Sequence, residues 1–173
     1  MTAPGSGTEI VIRLKFKLAQ GDEVPDSEKL RDGSAPVEEA PEPEVDFSTK
    51  RLLLVEDNQI NMEIANMILS QAGFKVETAV NGKIAVDMVA EAKPGYYDAI
   101  LMDIQMPEMD GYEATRAIRA MSEPARANIP ILAMTANAFK EDEEAAMEAG
   151  MQAHIAKPID VNVMMKALTR VLK

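Results

Sequence analysis

The sequence predicts an α/β fold with a doubly wound parallel sheet, and three observations carry that expectation. From residue 50 onward, five short apolar runs each precede a segment with helical periodicity. The runs are continuously apolar rather than alternating, as befits strands covered on both faces. Four of the five also finish in a polar or charged group: Glu56 and Asp57, Asp103, Thr135, and Lys157. In an open α/β sheet the carboxyl ends of parallel strands meet at one crevice, where ligands bind.

The elements follow in order. Residues 52–56 form a short apolar strand, and 58–72 a helix with Ile60, Ile64, Met67 and Ile68 on one stripe and Gly73 as its stop. Residues 75–80, rich in Val and Thr, read as a second strand. Residues 82–92 read as a helix with Ala85, Val86 and Val89 inward, closed by Pro94-Gly95. Residues 97–103 give a third strand, and 112–121 a helix that brings Thr115, Ile118 and Met121 within reach of each other. A fourth strand spans 130–135, a helix 139–149, and a fifth strand 153–156. Asp160 caps a last helix with Val163, Met164, Ala167, Leu168 and Val171 facing the core. The flavodoxin-like strand order 2-1-3-4-5 suits this length, although periodicity alone does not give an order.

Residues 19–49 differ in kind. They hold four prolines (Pro25, Pro36, Pro41, Pro43), few large apolar residues, ten acidic groups and two basic ones. Such a stretch cannot bury enough surface to offset chain entropy, and its charge and proline keep it extended, so an acidic, proline-rich, disordered linker is expected. Residues 1–18 contain an alternating segment: Ile10, Ile12, Leu14, Phe16 and Leu18 share one parity. This is the pattern of a strand with one buried face. It either docks on the main domain or is the last strand of a domain cut away.

Composition narrows the function. The 173 residues carry a formal charge of −11, of which residues 50–173 contribute −5, with 13 basic and 18 acidic groups. An acidic globular part without a basic stripe argues against nucleic-acid binding. The absence of Cys excludes disulfides and thiolate metal sites. No apolar run approaches the roughly 18 residues of a membrane span, and no secretory signal core is evident. A cytoplasmic location is expected, without membrane contact by these residues, whether or not a parent protein is membrane-anchored.

With the strand order above, Glu56, Asp57, Asp103, Thr135 and Lys157 converge. Two carboxylates about 4 Å apart repel by roughly 4 kcal/mol at an effective dielectric near 20. A cluster of three is therefore expected to be compensated by a cation. All-oxygen donors point to Mg²⁺, with Mn²⁺ as the alternative. A hard cation and a lysine beside a strand-end carboxylate suit phosphoryl transfer, in which Asp103 becomes an aspartyl phosphate. Lys157 and the Thr135 hydroxyl would hold phosphoryl oxygens.

The segments Leu-Val-Glu-Asp-Asn at 54–58, Met-Asp-Ile-Gln-Met-Pro at 102–107, Asp110-Gly111, Met134-Thr135-Ala136 and Lys157-Pro158 resemble those of a response-regulator receiver domain. The resemblance covers residues 50–173. The Glu-Asp-Asn-x-x-Asn form at 56–61 is similar to receivers fused to hybrid histidine kinases. The Gly-x-Gly-Thr opening at 5–8 and its alternating strand resemble the end of a histidine-kinase ATP-binding domain.

The resemblance implies a phosphorelay function: Mg²⁺-dependent phosphorylation of Asp103 by a phosphohistidine on a kinase core or a histidine phosphotransfer protein. It implies metal ligation by Asp57, Asp103 and the Gln105 carbonyl oxygen, with Glu56 acting through water, and a cis peptide at Lys157-Pro158. Thr135 and the position of His154 would form the switch. Tyr or Phe is usual there, so His154 stands as either a smaller aromatic rotor or a half-buried strand residue. As the sole histidine, placed on a strand, it is not expected to be a kinase phosphodonor. Gln105 and Asn137 occupy positions that tune attack by water on the acyl phosphate. No turnover beyond phosphoryl acceptance and autodephosphorylation is expected, nor a DNA-binding output domain. The expected association is monomer or weak dimer. Asn58 and Asn61 read as a helix cap and a first-turn polar residue, Glu141–Glu144 as a solvated helix face, and the methionines as core filler.

Two rivals fit parts of this pattern. A phosphatase with an Asp nucleophile would want a second acid two residues after it, where Gln105 stands, and cap insertions that are missing. A receiver-like interaction module independent of phosphorylation would not require the complete acidic site.

Overall fold

The computed structural model describes residues 46–136 and 140–172. The alternating segment at 10–18, most of the acidic linker and Asn137 lie outside the described residues. Five parallel strands form one sheet: β1 (Arg51–Val55), β2 (Lys75–Ala79), β3 (Ala99–Asp103), β4 (Ile131–Thr135) and β5 (Ala153–Ala156). Their order is β2-β1-β3-β4-β5, the flavodoxin-like arrangement.

Helices cover both faces because alternate strand residues are apolar in both directions. Leu52, Leu54, Ala99, Leu101, Leu132, Met134 and Ile155 point to one side. There α1 (Gln59–Gln71) and α6 (Val161–Val171) lie, inserting Ala65, Leu69, Met164 and Leu168. Leu53, Val55, Ile100, Met102, Ile131 and Ala133 point to the other side. They meet α2 (Gly82–Glu91), α3 (Gly111–Arg119) and α5 (Lys140–Ala149) through Ala85, Val89, Ala114, Ile118 and Ala146. Twelve of the larger core side chains are essentially inaccessible, and each contributes roughly 1.5–3 kcal/mol of hydrophobic stabilisation.

The helix starts follow from local chemistry. The Asn58 side chain accepts from the Ile60 and Asn61 amides, Asn81 from Ile84, and Asp160 from Asn162 and Val163. Asp110 and Glu113 form a reciprocal capping box at the start of α3. A short helix that periodicity does not reveal, α4 (Pro124–Ala127), has Pro at its first turn.

Three expectations need correction. Ile60, Ile64 and Met67 do not pack inward: they are 68%, 51% and 61% exposed, while Ala65 and Leu69 fill the core. Val163 is half exposed, and Met164 takes the inward place beside it. Met67 and Met147 are likewise surface residues, not core filler. In addition Phe47, which composition places with the linker, is buried and stacks on Phe74 at 4.4 Å between ring centroids.

Candidate functional site

The register of β1 and β3 pairs Val55 with Met102, so the residues just after β1 and the last residue of β3 emerge side by side. Asp103 closes β3 and is 4% exposed; Glu56 is 1% exposed; Asp57 reaches solvent. One oxygen from each of these carboxylates falls within 4.8 Å of the others. Lys157, one residue past β5, places its Nζ 2.7 Å from Asp103 Oδ2 and 2.7 Å from Glu56 Oε2. The other Glu56 oxygen accepts from the Asn61 amide at 3.1 Å. The Lys157–Pro158 peptide is cis.

Charge is unbalanced here: three carboxylates face one ammonium. Burial raises the Asp103 pKa above its ordinary 3.8, and Glu56's like charge adds to this against the pull of Lys157 and the Gln105 amide. Burial by itself would lower the Lys157 pKa, but its bonds to Asp103 and Glu56 outweigh that and raise it. The donor set is all oxygen, clustered and anionic in excess, which fits a hard divalent cation.

The loop after β3 is held by close packing. A Cβ at Gly111 would collide with the carbonyl oxygen of Asp103, and one at Gly82 would sit 2.6 Å from Met109 O. Ile104 N donates to Met134 O, and Gly111 N to Ile104 O. Glu108 takes a φ of 67°, and its carboxylate accepts from the buried Asn81 amide at 3.1 Å. A short-range lock thus fixes the segment that carries Gln105.

A cavity of about 440 Å³ opens beside the carboxyl end of β3, lined among others by Asp57, Gln105, Asp110, Tyr112, Thr135 and Asp142. Thr135 is buried at the end of β4. His154 is elsewhere. It lines a separate cavity between α5 and α6, and its Nδ1 lies 3.6 Å from Glu143 Oε1. Of the candidate residues, Glu56, Asp57, Asp103 and Lys157 therefore meet directly, Gln105 and Thr135 border them, and His154 does not. Asn61, read as a plain first-turn residue, is a partner of Glu56; Asp142, read as part of a solvated helix face, lines the cavity with Tyr112, to which the sequence reading gives no role. Asn61 follows Glu56 by five residues across a helix cap, a spacing that could have signalled the contact.

Residues 52–169 match the family model of the response regulator receiver domain. Among curated relatives, hybrid signal transduction histidine kinase I of Dictyostelium discoideum is 39% identical over 69% of this chain and 7% of its own length. Histidine kinase 1 of Arabidopsis thaliana is 35% identical over 71% of this chain and 13% of its own. The chain thus spans a small part of these relatives. Among solved structures, a receiver domain of a Pseudomonas aeruginosa sensor histidine kinase has magnesium coordinated in its active-site cleft. It matches with TM-score 0.64 and 39% identity, over 71% of this chain and 97% of that one. The co-crystal of the Saccharomyces cerevisiae phosphotransfer protein Ypd1 with the receiver domain of Ssk1 matches with TM-score 0.64 and 29% identity, over 69% of this chain and 86% of that one. Sheet order, acidic crevice and family match agree: this chain belongs to the response-regulator receiver family of two-component signalling.

Proposed function

We propose that Asp103 accepts a phosphoryl group from a phosphohistidine, within a phosphorelay fed by a histidine kinase core or a histidine phosphotransfer protein. The observation that carries this is the Asp103 carboxylate, buried at the mouth of the sheet beside two further carboxylates, with Lys157 Nζ at 2.7 Å. An Asp103 oxygen attacks phosphorus and the P–N bond to imidazole breaks. The bonding pair stays on the ring nitrogen, which takes a proton from water, and a mixed anhydride remains on Asp103.

Lys157 neutralises charge on the phosphoryl oxygens, and Thr135, which ends the neighbouring strand β4 and lines the cavity beside β3, would offer its hydroxyl. Asp57, Asp103 and the Gln105 carbonyl oxygen would hold Mg²⁺, with Glu56 one water away. When bound, the ion supplies neutralisation of the charge that gathers on phosphorus and its oxygens. Histidine kinases among the relatives, one of them named hybrid, support origin in a hybrid kinase, and the Ypd1–Ssk1 complex supports the partner class. So does the exposed Ile60–Ile64–Met67 stripe on α1: Ile64 lines a pocket with Lys157, Pro158 and Ile159. An apolar surface that borders a reaction centre suits a helical partner bringing its histidine to the acceptor.

The test is intact mass after incubation with acetyl phosphate and Mg²⁺. One phosphoryl group is expected on the wild type, and none on Asp103→Asn or in EDTA. A wild type left unmodified by both acetyl phosphate and a phosphorylated phosphotransfer protein would sink the reading.

A further inference from the structure

A side chain that spans from the acceptor cavity to a surface element can carry a charge change at Asp103 out of the crevice. Among the described residues lining that cavity, Tyr112 is the aromatic one and Asp142 is the contribution of α5. The two touch: Tyr112 Oη lies 3.4 Å from the Asp142 carbonyl oxygen, in the first turn of α5. His154, by contrast, lines a different cavity and faces Glu143. The aromatic residue placed between acceptor and helix is therefore supplied by α3, not by β5.

The contact is soft. At 3.4 Å it exceeds the usual 2.5–3.0 Å of a hydroxyl bond to oxygen. A phenol has one proton to donate, so it serves one acceptor at a time. A phosphoryl oxygen is a charge-assisted acceptor and a stronger one than a peptide carbonyl. Tyr112 packs against the core layer and is half-buried, which holds the residue while it lines the cavity and its hydroxyl faces the Asp142 carbonyl. Burial, with Asp142 and Asp110 nearby, raises the Tyr112 pKa, which keeps the phenol protonated and able to donate.

We propose that Tyr112 couples the acceptor to α5: on phosphorylation of Asp103 its hydroxyl leaves the Asp142 carbonyl for a phosphoryl oxygen, directly or through one water, and the first turn of α5 is released. This rests on the phosphoacceptor reading above. Tyr112 acts as a positioning residue for the signal and takes no part in the bond changes at Asp103.

Amide hydrogen exchange across Lys140–Ala149 of the full chain, with and without acetyl phosphate and Mg²⁺, tests it at equal adduct occupancy by intact mass. Phosphorylation is expected to speed exchange of the first α5 turn on the order of threefold in the wild type. Tyr112→Phe should show that faster exchange already without phosphate, and no further change with it. His154→Ala should respond as the wild type does. A Tyr112→Phe chain that still gains the full increment on phosphorylation overturns the coupling, as does a phosphorylated wild type whose α5 exchange is unchanged. Absence of any adduct on the wild type instead overturns the phosphoacceptor reading, and the coupling falls with it.

Discussion

The two ends of the sheet handle charge in opposite ways. At the amino end, the half-buried charges are paired. Arg51 reaches Glu77 at 2.8 Å and lies 4.3 Å over the Tyr96 ring, the Tyr96 and Tyr97 hydroxyls donate to Glu77, and Lys50 pairs with Asp98. Arg119, at the last turn of α3, donates to the carbonyls of Gly150, Ala127 and Ile129 and to the Gln152 side chain. At the carboxyl end three carboxylates cluster, and Lys157 pairs with two of them, Glu56 and Asp103. One end closes the fold; the other withholds compensation, as the proposed cation and phosphoryl group would require. Stability and function are thus separated along the strands.

The sharpest break of that contrast is Asp103→Asn. It should abolish the phosphoryl adduct yet raise the urea midpoint of the metal-free protein, since it removes a carboxylate that burial disfavours. The sign follows from the raised pKa. Asp103's contribution to stability is present below its ordinary 3.8 and is lost as pH rises through the higher folded value. Excess Mg²⁺ should stabilise the wild type by about 2.7 kcal/mol at a hundred times its dissociation constant, and the variant far less. A midpoint that falls in metal-free buffer would show the acidic end to be balanced after all.

Arg119→Ala is the mirror experiment. It removes a donor from four acceptors, of which Gly150 O keeps the Gln152 amide and Gln152 Oε1 keeps Ile131 N, and should cost about 3 kcal/mol in urea unfolding through the Ala127 and Ile129 carbonyls. Acceptance of phosphate per folded molecule should not change. Loss of acceptance at a temperature where the variant is folded would mean that the two ends are coupled.

What could be read in advance tracks the same division. Strands such as 99–103 were legible because burial on both faces demands uninterrupted apolar residues. Asp103, Asp57 and Lys157 were legible because parallel strands deliver their ends to one crevice. The phase of α1 was not, since apolar residues lie on both of its sides: Ala65 and Leu69 won the interior and the larger Ile60, Ile64 and Met67 were left outside. Short α4 spans too few residues for a period to show. Contacts such as Tyr112 with Asp142, or His154 with Glu143, join separate elements, and no local pattern encodes them. The exposed face of α1 supplies the third prediction. Replacing Ile60 and Met67 by Ser should leave stability within about 0.5 kcal/mol. It should slow transfer from a histidine phosphotransfer protein about tenfold, the equivalent of about 1.4 kcal/mol of docking energy, while acetyl phosphate reacts as before. Equal slowing with both donors would point to damage at the acceptor rather than lost docking.

The smallest effect belongs to Glu77→Gln, and its value lies in its pH dependence. Burial would raise the Glu77 pKa, but the Tyr96 and Tyr97 hydroxyls and Arg51 outweigh it and hold it below its ordinary 4.5. A lowered folded pKa means stability that is present above 4.5 and lost as pH falls through the folded value. Gln keeps one carbonyl oxygen for a tyrosine but gives up the charge, so at neutral pH the change should cost about 1 kcal/mol. Across the acid range the variant's stability should then fall less steeply than the wild type's, and the two curves should converge. At the alkaline limit Tyr97 works in the opposite sense. Burial first, then the Glu77 bond and charge, raise its pKa above 10.0, so its contribution is complete below that value and fades as pH climbs. Removing the Glu77 charge lowers that folded pKa toward the ordinary one and narrows the alkaline loss. A variant whose urea midpoint runs parallel to the wild type at both extremes would show that the amino-end charges, though paired in space, are not thermodynamically linked.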